Sequence, residues 1–212
     1  MVANIEIKNQ KVLDILEYSR ELFMEKWDVP SHNNLLGEFG RDPQDFVGPE
    51  YLQRILDLGE RHTGTPYGAL SYALKPDHYL GDDPQYVKDF QDYDYKIKSE
   101  LGITQNALSQ LYPPEGYIAW HNNADAPGYN LIFTWSETGD GWFKYIDSDG
   151  KEQTIYDTKG WSLKAGYFGT YKENKLCYHA AYTKCWRMTH SFVVSNDKDF
   201  WLDCIEHIEN DY

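Results

Sequence analysis

Between Gly102 and Asp197 the chain is cut into short segments rich in β-branched and aromatic residues, each bounded by turn formers. The segments are Ala107–Tyr112, Tyr117–His121, Leu131–Trp135, Trp142–Ile146, Gln153–Tyr156, Trp161–Phe168, Leu176–His179 and Trp186–Val194. Between them stand Pro113-Pro114, Pro127-Gly128, Gly139-Asp140-Gly141, Asp147-Ser148-Asp149-Gly150 and Lys159-Gly160. Proline supplies no ladder donor and glycine takes up turn conformations freely, so these clusters end strands and reverse the chain. Strands this short cannot bury their apolar faces singly. They have to close on one another as a sandwich or jelly roll.

The first hundred residues read differently, mainly as helix and loop. From Lys11 to Trp27 apolar side chains recur at Val12, Ile15, Leu16, Leu22, Phe23 and Trp27, close to the 3.6-residue period of an amphipathic helix. A second helix starts at Pro49, a good first-turn residue, buries Leu52, Ile55 and Leu56, and is closed by Gly64 and Pro66. A third runs from Pro84 through Val87, Phe90 and Ile97. The stretches Pro30–Gly48 and Thr63–Asp83, rich in Gly, Pro, Asn and Asp, read as long loops, the kind that border binding sites as lids. After Asp197 the pattern returns to helix, with Phe200, Trp201, Cys204, Ile205 and Ile208 on one face. The expected fold is therefore α+β in a single domain spanning 1–212. Residues 1–101 form a mostly helical and loop layer packed on one sheet, 102–196 a jelly-roll core, and 197–212 a C-terminal helix.

Composition narrows the partners. Acidic residues outnumber basic ones 34 to 20 for a net charge of −14, and such a surface repels phosphate backbones, which disfavours nucleic acid. No apolar run approaches the roughly 18 residues that a membrane helix needs. The opening MVANIEIKNQ lacks the basic-then-apolar pattern of a secretory signal. Three cysteines, Cys177, Cys185 and Cys204, lack metal-type spacing and read as free thiols of a reducing compartment. The expected location is cytoplasmic.

Two of the seven histidines end strand-like segments: His121 after Tyr117-Ile118-Ala119-Trp120, and His179 after Leu176-Cys177-Tyr178. One such histidine is most simply a hydrogen-bonded barrel residue; a pair with suitable neighbours invites more. Side chains two apart on a strand share a face, so His121 and Asn123 can turn an imidazole and an amide oxygen to one point if the strand runs that far. Asp125 lies two residues further on, where a loop can bring its carboxylate back. With His179 these make a three-ligand face that leaves positions open for an oxoacid and O2, as in non-haem iron sites. Arg187, Thr189 and Ser191 share a face of the last long strand. A guanidinium fork with adjacent hydroxyls suits a carboxylate.

The stretch Tyr112-Pro113-Pro114-Glu115-Gly116-Tyr117-Ile118-Ala119-Trp120-His121-Asn122-Asn123 resembles the first half of the prolyl-4-hydroxylase-type 2-oxoglutarate/Fe(II) oxygenase pattern, with its tyrosine, glycine and His-x-Asp. Gly139–Phe143 resembles that family's glycine-containing turn, and Lys159-Gly160-Trp161 through Phe168 the strand before its distal histidine. His179, Arg187 and Thr189 match the His…Arg-x-Ser/Thr ending, so the resemblance spans about residues 105–195. It implies a double-stranded β-helix, Fe(II) held by His121 and His179, and 2-oxoglutarate as co-substrate. Arg187 would grip the far carboxylate with Thr189 or Ser191 assisting, and Tyr112 would line the pocket. The implied reaction is O2-dependent hydroxylation of a substrate, a peptide or protein side chain among the candidates, with release of succinate and CO2.

One departure concerns the carboxylate ligand, whose place is taken by Asn123. An amide oxygen is neutral and binds iron more weakly, so the third position falls to Asn123, to Asp125 or to water. Asp147-Ser148-Asp149-Gly150 echoes part of a calcium loop without its later ligands and reads as a hairpin turn. Cys177 stands two residues before His179 but has no third group to orient a nucleophilic pair. The competing function is a non-enzymatic jelly-roll binding or structural module, in which aromatics such as Trp120, Trp135 and Trp142 contact a ligand and the histidines are incidental.

Overall fold

The computed structural model describes residues 2–31, 35–76, 83–123, 127–173 and 175–210. Eight strands follow residue 102, all but β10 close to where the turn residues place them: β4 Gln105–Tyr112, β5 Tyr117–His121, β6 Gly128–Ser136, β7 Gly141–Ile146, β8 Glu152–Tyr156, β9 Gly160–Phe168, β10 His179–Thr183 and β11 Arg187–Ser195. Three more precede them: β1 Val2–Ile5, β2 Leu35–Leu36 and β3 Ala69–Ala73. All pairings are antiparallel, in the order β1-β9-β6-β11-β4-β3-β5-β10-β7-β8, with β2 beside β3. Strands β9, β6, β11 and β4 form one wall, and β5, β10, β7 and β8 the other. β3 joins the walls by pairing with β4 at one end and β5 at the other. The result is a nearly closed, jelly-roll-like barrel with helices outside.

Two apolar layers and one interior core hold it together. On the outer face of the larger wall, Leu111, Leu131, Phe133, Leu163, Met188 and Phe192 pack against the helices α1 (Gln10–Arg20), α4 (Pro84–Leu101) and α5 (Lys198–Glu209). α1 is capped by Asn9, whose side chain accepts from the Val12 amide at 3.1 Å. α4 is capped by Asp83, opens on Pro84 and ends at Gly102 in the left-handed conformation, φ 65°. Its buried Tyr86, Phe90, Tyr93, Ile97 and Leu101 keep the helical period. The second wall is covered by α2 (Gln44–Val47) and α3 (Pro49–Leu58), with Val47, Leu52 and Ile55 on Tyr117, Ala119 and Trp120. Trp120 fixes that contact by donating its indole N–H to the Val47 carbonyl at 2.8 Å. Inside the barrel lie Tyr112, Ile118, Ile132, Phe143, Tyr145 and Phe168.

Five expectations need correcting. Leu56, expected to be buried with Leu52 and Ile55, is exposed on α3. The first hundred residues are not only helix and loop, because β3 sits within the stretch read as a loop, and α2 and β2 lie within Pro30–Gly48. Helices cover both walls rather than one sheet. The helix expected over Lys11–Trp27 widens into a π-helix at Glu21–Lys26, where the Trp27 amide reaches back five residues to the Leu22 carbonyl. Leu22 and Phe23 of this turn are both buried in the core. Finally, Leu176–His179 is not a strand: β10 begins at His179, and residues 176–178 form its approach. Asp147-Ser148-Asp149-Gly150 does form the hairpin turn between β7 and β8, with the Asp147 carboxylate accepting from the Asp149 and Lys151 amides. No helix among the described residues is long and apolar enough to cross a membrane.

Candidate functional site

β5 and β10 run antiparallel with His121 directly opposite His179. Each strand carries its histidine at the barrel mouth, and the ladder brings the ring centroids to 4.1 Å. The imidazole Nδ1 of His121 lies 2.8 Å from the Ala119 carbonyl, and that of His179 lies 2.8 Å from the Cys177 carbonyl. A carbonyl can only accept, so both Nδ1 atoms carry the proton and the lone pair of each ring is on Nε2. Backbone contacts of this kind orient metal-binding imidazoles. Phe168 stacks on His179 at 4.8 Å and 10°, and Phe143 lies against the same ring at 5.6 Å. Burial, reinforced by the neighbouring His179, holds His121 well below the ordinary imidazole range; burial lowers His179 to about 4. Both rings are neutral at pH 7, the form that ligates a metal.

The histidines open onto a cavity of about 840 Å3 that also takes in Asn123, Tyr112, Arg187, Thr189 and Ser191. Residues of both expected lid stretches border it, among them Glu38, Arg41 and Phe46 from the first and Thr65, Tyr67 and Gly68 from the second. The second stretch is stitched to β5, with the Asn123 amide donating to the Gly64 carbonyl at 3.0 Å and the Ala119 amide to Gly68 at 2.9 Å. Asn123 does not reach the cavity by strand alternation. β5 ends at His121, and Asn123 follows with φ 58°, a left-handed conformation that asparagine tolerates better than most residues. Asp125 lies outside the described residues. Among the described residues no three His, Cys, Asp or Glu side chains are grouped to hold a metal. The donor set in view is two imidazoles with an amide nearby.

Across the cavity, β11 presents Arg187, Thr189 and Ser191, with Tyr112 and Gln110 on β4 in register beside Arg187 and Thr189. Arg187 is 2% exposed. Its Nε donates to Asp157 Oδ2 at 2.8 Å, Nη1 to Thr189 Oγ1 at 2.7 Å and Nη2 to Thr134 Oγ1 at 3.5 Å. A guanidinium has five N–H donors, so two are left for a ligand. Because Thr189 accepts from Arg187, its own hydroxyl proton is free to turn toward the cavity. The guanidinium carbon lies 5.6 Å from the Tyr112 ring centroid, and the Tyr112 hydroxyl donates to Gln110 at 2.6 Å. Burial raises Tyr112 to about 12, so it stays a neutral phenol.

Sequence reasoning missed what stands behind the arginine. Asp157, fully buried between β8 and β9, holds Arg187 with one oxygen and Lys164 Nζ with the other, at 2.8 Å each. Burial alone would raise the Asp157 carboxyl, but Arg187 and Lys164 outweigh it and keep it below its ordinary value. Burial pulls Lys164 down to about 8 against the opposing pull of Asp157. A signal was available in the strand pattern. Within Ser162-Leu163-Lys164-Ala165, Leu163 and Ala165 face the helices, which leaves Lys164 on the interior face of the barrel, where a lysine requires a partner.

No protein-family model matches the chain, and no curated protein resembles it in sequence. Among solved structures, a Pseudomonas putida prolyl-4-hydroxylase is similar over 93% of this chain and 92% of its own, at 13% identity and a TM-score of 0.43. A Trichoplax adhaerens prolyl hydroxylase, in complex with a hypoxia inducible factor oxygen degradation domain peptide fragment, is similar over 95% of this chain and 86% of its own, at 11% identity and a TM-score of 0.44. At TM-scores below 0.5 these likenesses carry no functional weight.

Proposed function

We propose that the barrel is a double-stranded β-helix and that the protein is a 2-oxoglutarate- and Fe(II)-dependent oxygenase. The observation that carries this reading is one cavity lined by two neutral, backbone-oriented imidazoles from one wall and a buried arginine from the other. His121 and His179 would hold the iron through Nε2. Asn123 is the third donor best placed among the described residues, with Asp125 or water the alternatives. Iron, when bound, supplies the activation of O2 and the oxidative decarboxylation of the co-substrate.

The chain's own residues do the rest. Arg187 grips the distal carboxylate of 2-oxoglutarate with its two remaining donors, and Thr189 adds a hydroxyl. Ser191 and Tyr112 line the same pocket. The stacked Phe168 and Phe143 hold His179 in place and keep water from its flank. The stretch from Thr63 to Gly68, tied to Asn123 and Ala119, forms part of the entrance through which the substrate reaches the iron. The cavity is much larger than a five-carbon diacid and leaves room for part of a second molecule, such as a peptide or protein side chain. Three buried thiols fit a reducing, cytoplasmic setting.

The test is to purify the protein without oxygen, load it with Fe(II), and measure iron content and succinate released from 2-oxoglutarate. Stoichiometric iron with 2-oxoglutarate-dependent succinate supports the oxygenase. Absence of both leaves the non-enzymatic binding module.

A further inference from the structure

Asp157 and Lys164 do not line the cavity, yet they are among the most deeply buried charges in the protein, both side chains fully inaccessible. Burying ions is costly, and a carboxylate alone would have sufficed to orient the Arg187 side chain. With Asp157 and Arg187 only, the cluster would be neutral: the guanidinium would meet a ligand with its charge already spent on Asp157. Lys164 changes that sum. Its ammonium occupies the second carboxylate oxygen and is further held by Ser162 Oγ at 3.3 Å. The three groups together carry one net positive charge, and Arg187 is the member that faces the cavity.

We propose that Lys164, acting through Asp157, keeps the charge of Arg187 available to a ligand and so makes the cavity select dicarboxylic over monocarboxylic 2-oxoacids. The inference rests on the oxygenase reading above. Lys164 is a positioning residue that touches neither co-substrate nor iron. An oxoacid enters with its keto acid end toward the histidines, and only a second carboxylate at the far end cancels the uncompensated charge. In a dry, low-dielectric pocket that cancellation is strong, whereas a methyl end would leave the charge unanswered.

The experiment compares 2-oxoglutarate with 2-oxopentanoate, which has the same chain length but no distal carboxylate. Binding of each to the full chain, loaded anaerobically with Fe(II), is measured by calorimetry for the wild type, Lys164→Met and Lys164→Gln. The glutamine keeps a donor toward Asp157 and removes only the charge. Both variants are expected to bind 2-oxoglutarate about tenfold or more weaker, with 2-oxopentanoate changed less than about twofold. Adding Asp157→Asn to Lys164→Met removes the quenching carboxylate and is expected to restore the preference for the diacid. Equal losses for both acids, or a wild-type preference in the folded Lys164→Gln variant, would overturn the inference. A wild type that prefers neither acid would remove the oxygenase reading and this inference with it. Preference in the wild type with no change in the variants would sink the inference alone.

Discussion

His121 and His179 are direct partners across the β5–β10 ladder, and each donates its Nδ1–H to the carbonyl two residues earlier in sequence. The two nitrogens that remain are held by backbone geometry, not by a chance rotamer. Replacing His179 with Ala is expected to abolish stoichiometric Fe(II) binding. The cost in stability should be limited to a lost hydrogen bond and a small cavity, about 1–3 kcal/mol. Metal analysis after anaerobic loading, with a thermal melt on the same sample, checks both halves. A variant that melts normally and still binds one iron would dismiss His179 as a ligand.

Gly141 gives a way to disturb the arginine without altering any charged group. A Cβ there would stand 2.5 Å from Asp157 Oδ2 and 3.2 Å from Thr183 Oγ1, so Asp157 has to shift off the Arg187 Nε. Gly141→Ala is therefore expected to weaken 2-oxoglutarate binding several-fold while leaving iron content unchanged. Calorimetry and metal analysis distinguish this from general damage, which would lower both.

Four buried histidines make the fold sensitive to acid. His190 is fully buried between α1 and the larger wall, sits 3.1 Å from Ser19 Oγ and 2.9 Å from Ser109 Oγ, and is lowered by burial to about 3. His179 is lowered to about 4, and His121 and His62 are lowered as well, all by burial first. In the unfolded chain each titrates near 6.5. Below that pH the unfolded state binds protons that the native state refuses, so stability falls as pH falls from about 6.5 toward the folded values. Each such group contributes ~1.4 kcal/mol per pH unit in that window. His190→Gln, which keeps polar contacts to the two serines but cannot titrate, should flatten the dependence. Urea unfolding at pH 7 and pH 5 should show a loss smaller by about 2 kcal/mol in the variant than in the wild type. Equal losses in the two proteins would count against a neutral buried His190.

The parts of the fold that could be read in advance are those written in local chemistry. Pro113-Pro114, Gly139-Asp140-Gly141 and Asp147-Ser148-Asp149-Gly150 end strands here, so seven of the eight strands after Gly102 are legible to within a few residues, the exception being β10, which begins where the expected segment ends. β3 is not legible. Ala69-Leu70-Ser71-Tyr72-Ala73 has no strong alternation and sits among glycines and prolines, and it is extended only because β4 and β5 flank it. The same limit hid the charge cluster. The alternation around Lys164 hints at an inward lysine, but its partner Asp157 lies beyond the end of β8, and only the closure of the barrel brings the two together against Arg187. His121, Asn123, His179 and Arg187 could be singled out by type and spacing. How Asn123 reaches the cavity could not, since that depends on a left-handed turn after His121.

That turn decides what Asn123 can do. With β5 finished at His121 and the Asn123 amide pinned to Gly64, the backbone at this position is fixed from two sides, and the side chain lines the cavity shared by both imidazoles. If the amide oxygen is the third donor, replacing it with a carboxylate changes charge but hardly shape. Asn123→Asp should tighten Fe(II) binding about tenfold or more, because an anionic oxygen meets a dication in a partly dry site. Asn123→Ala should weaken it. Aspartate also tolerates the left-handed conformation, so stability should change little. Competition with a chelator of known affinity reads the shift. Identical iron affinity in all three proteins would mean that the third position belongs to Asp125 or to water.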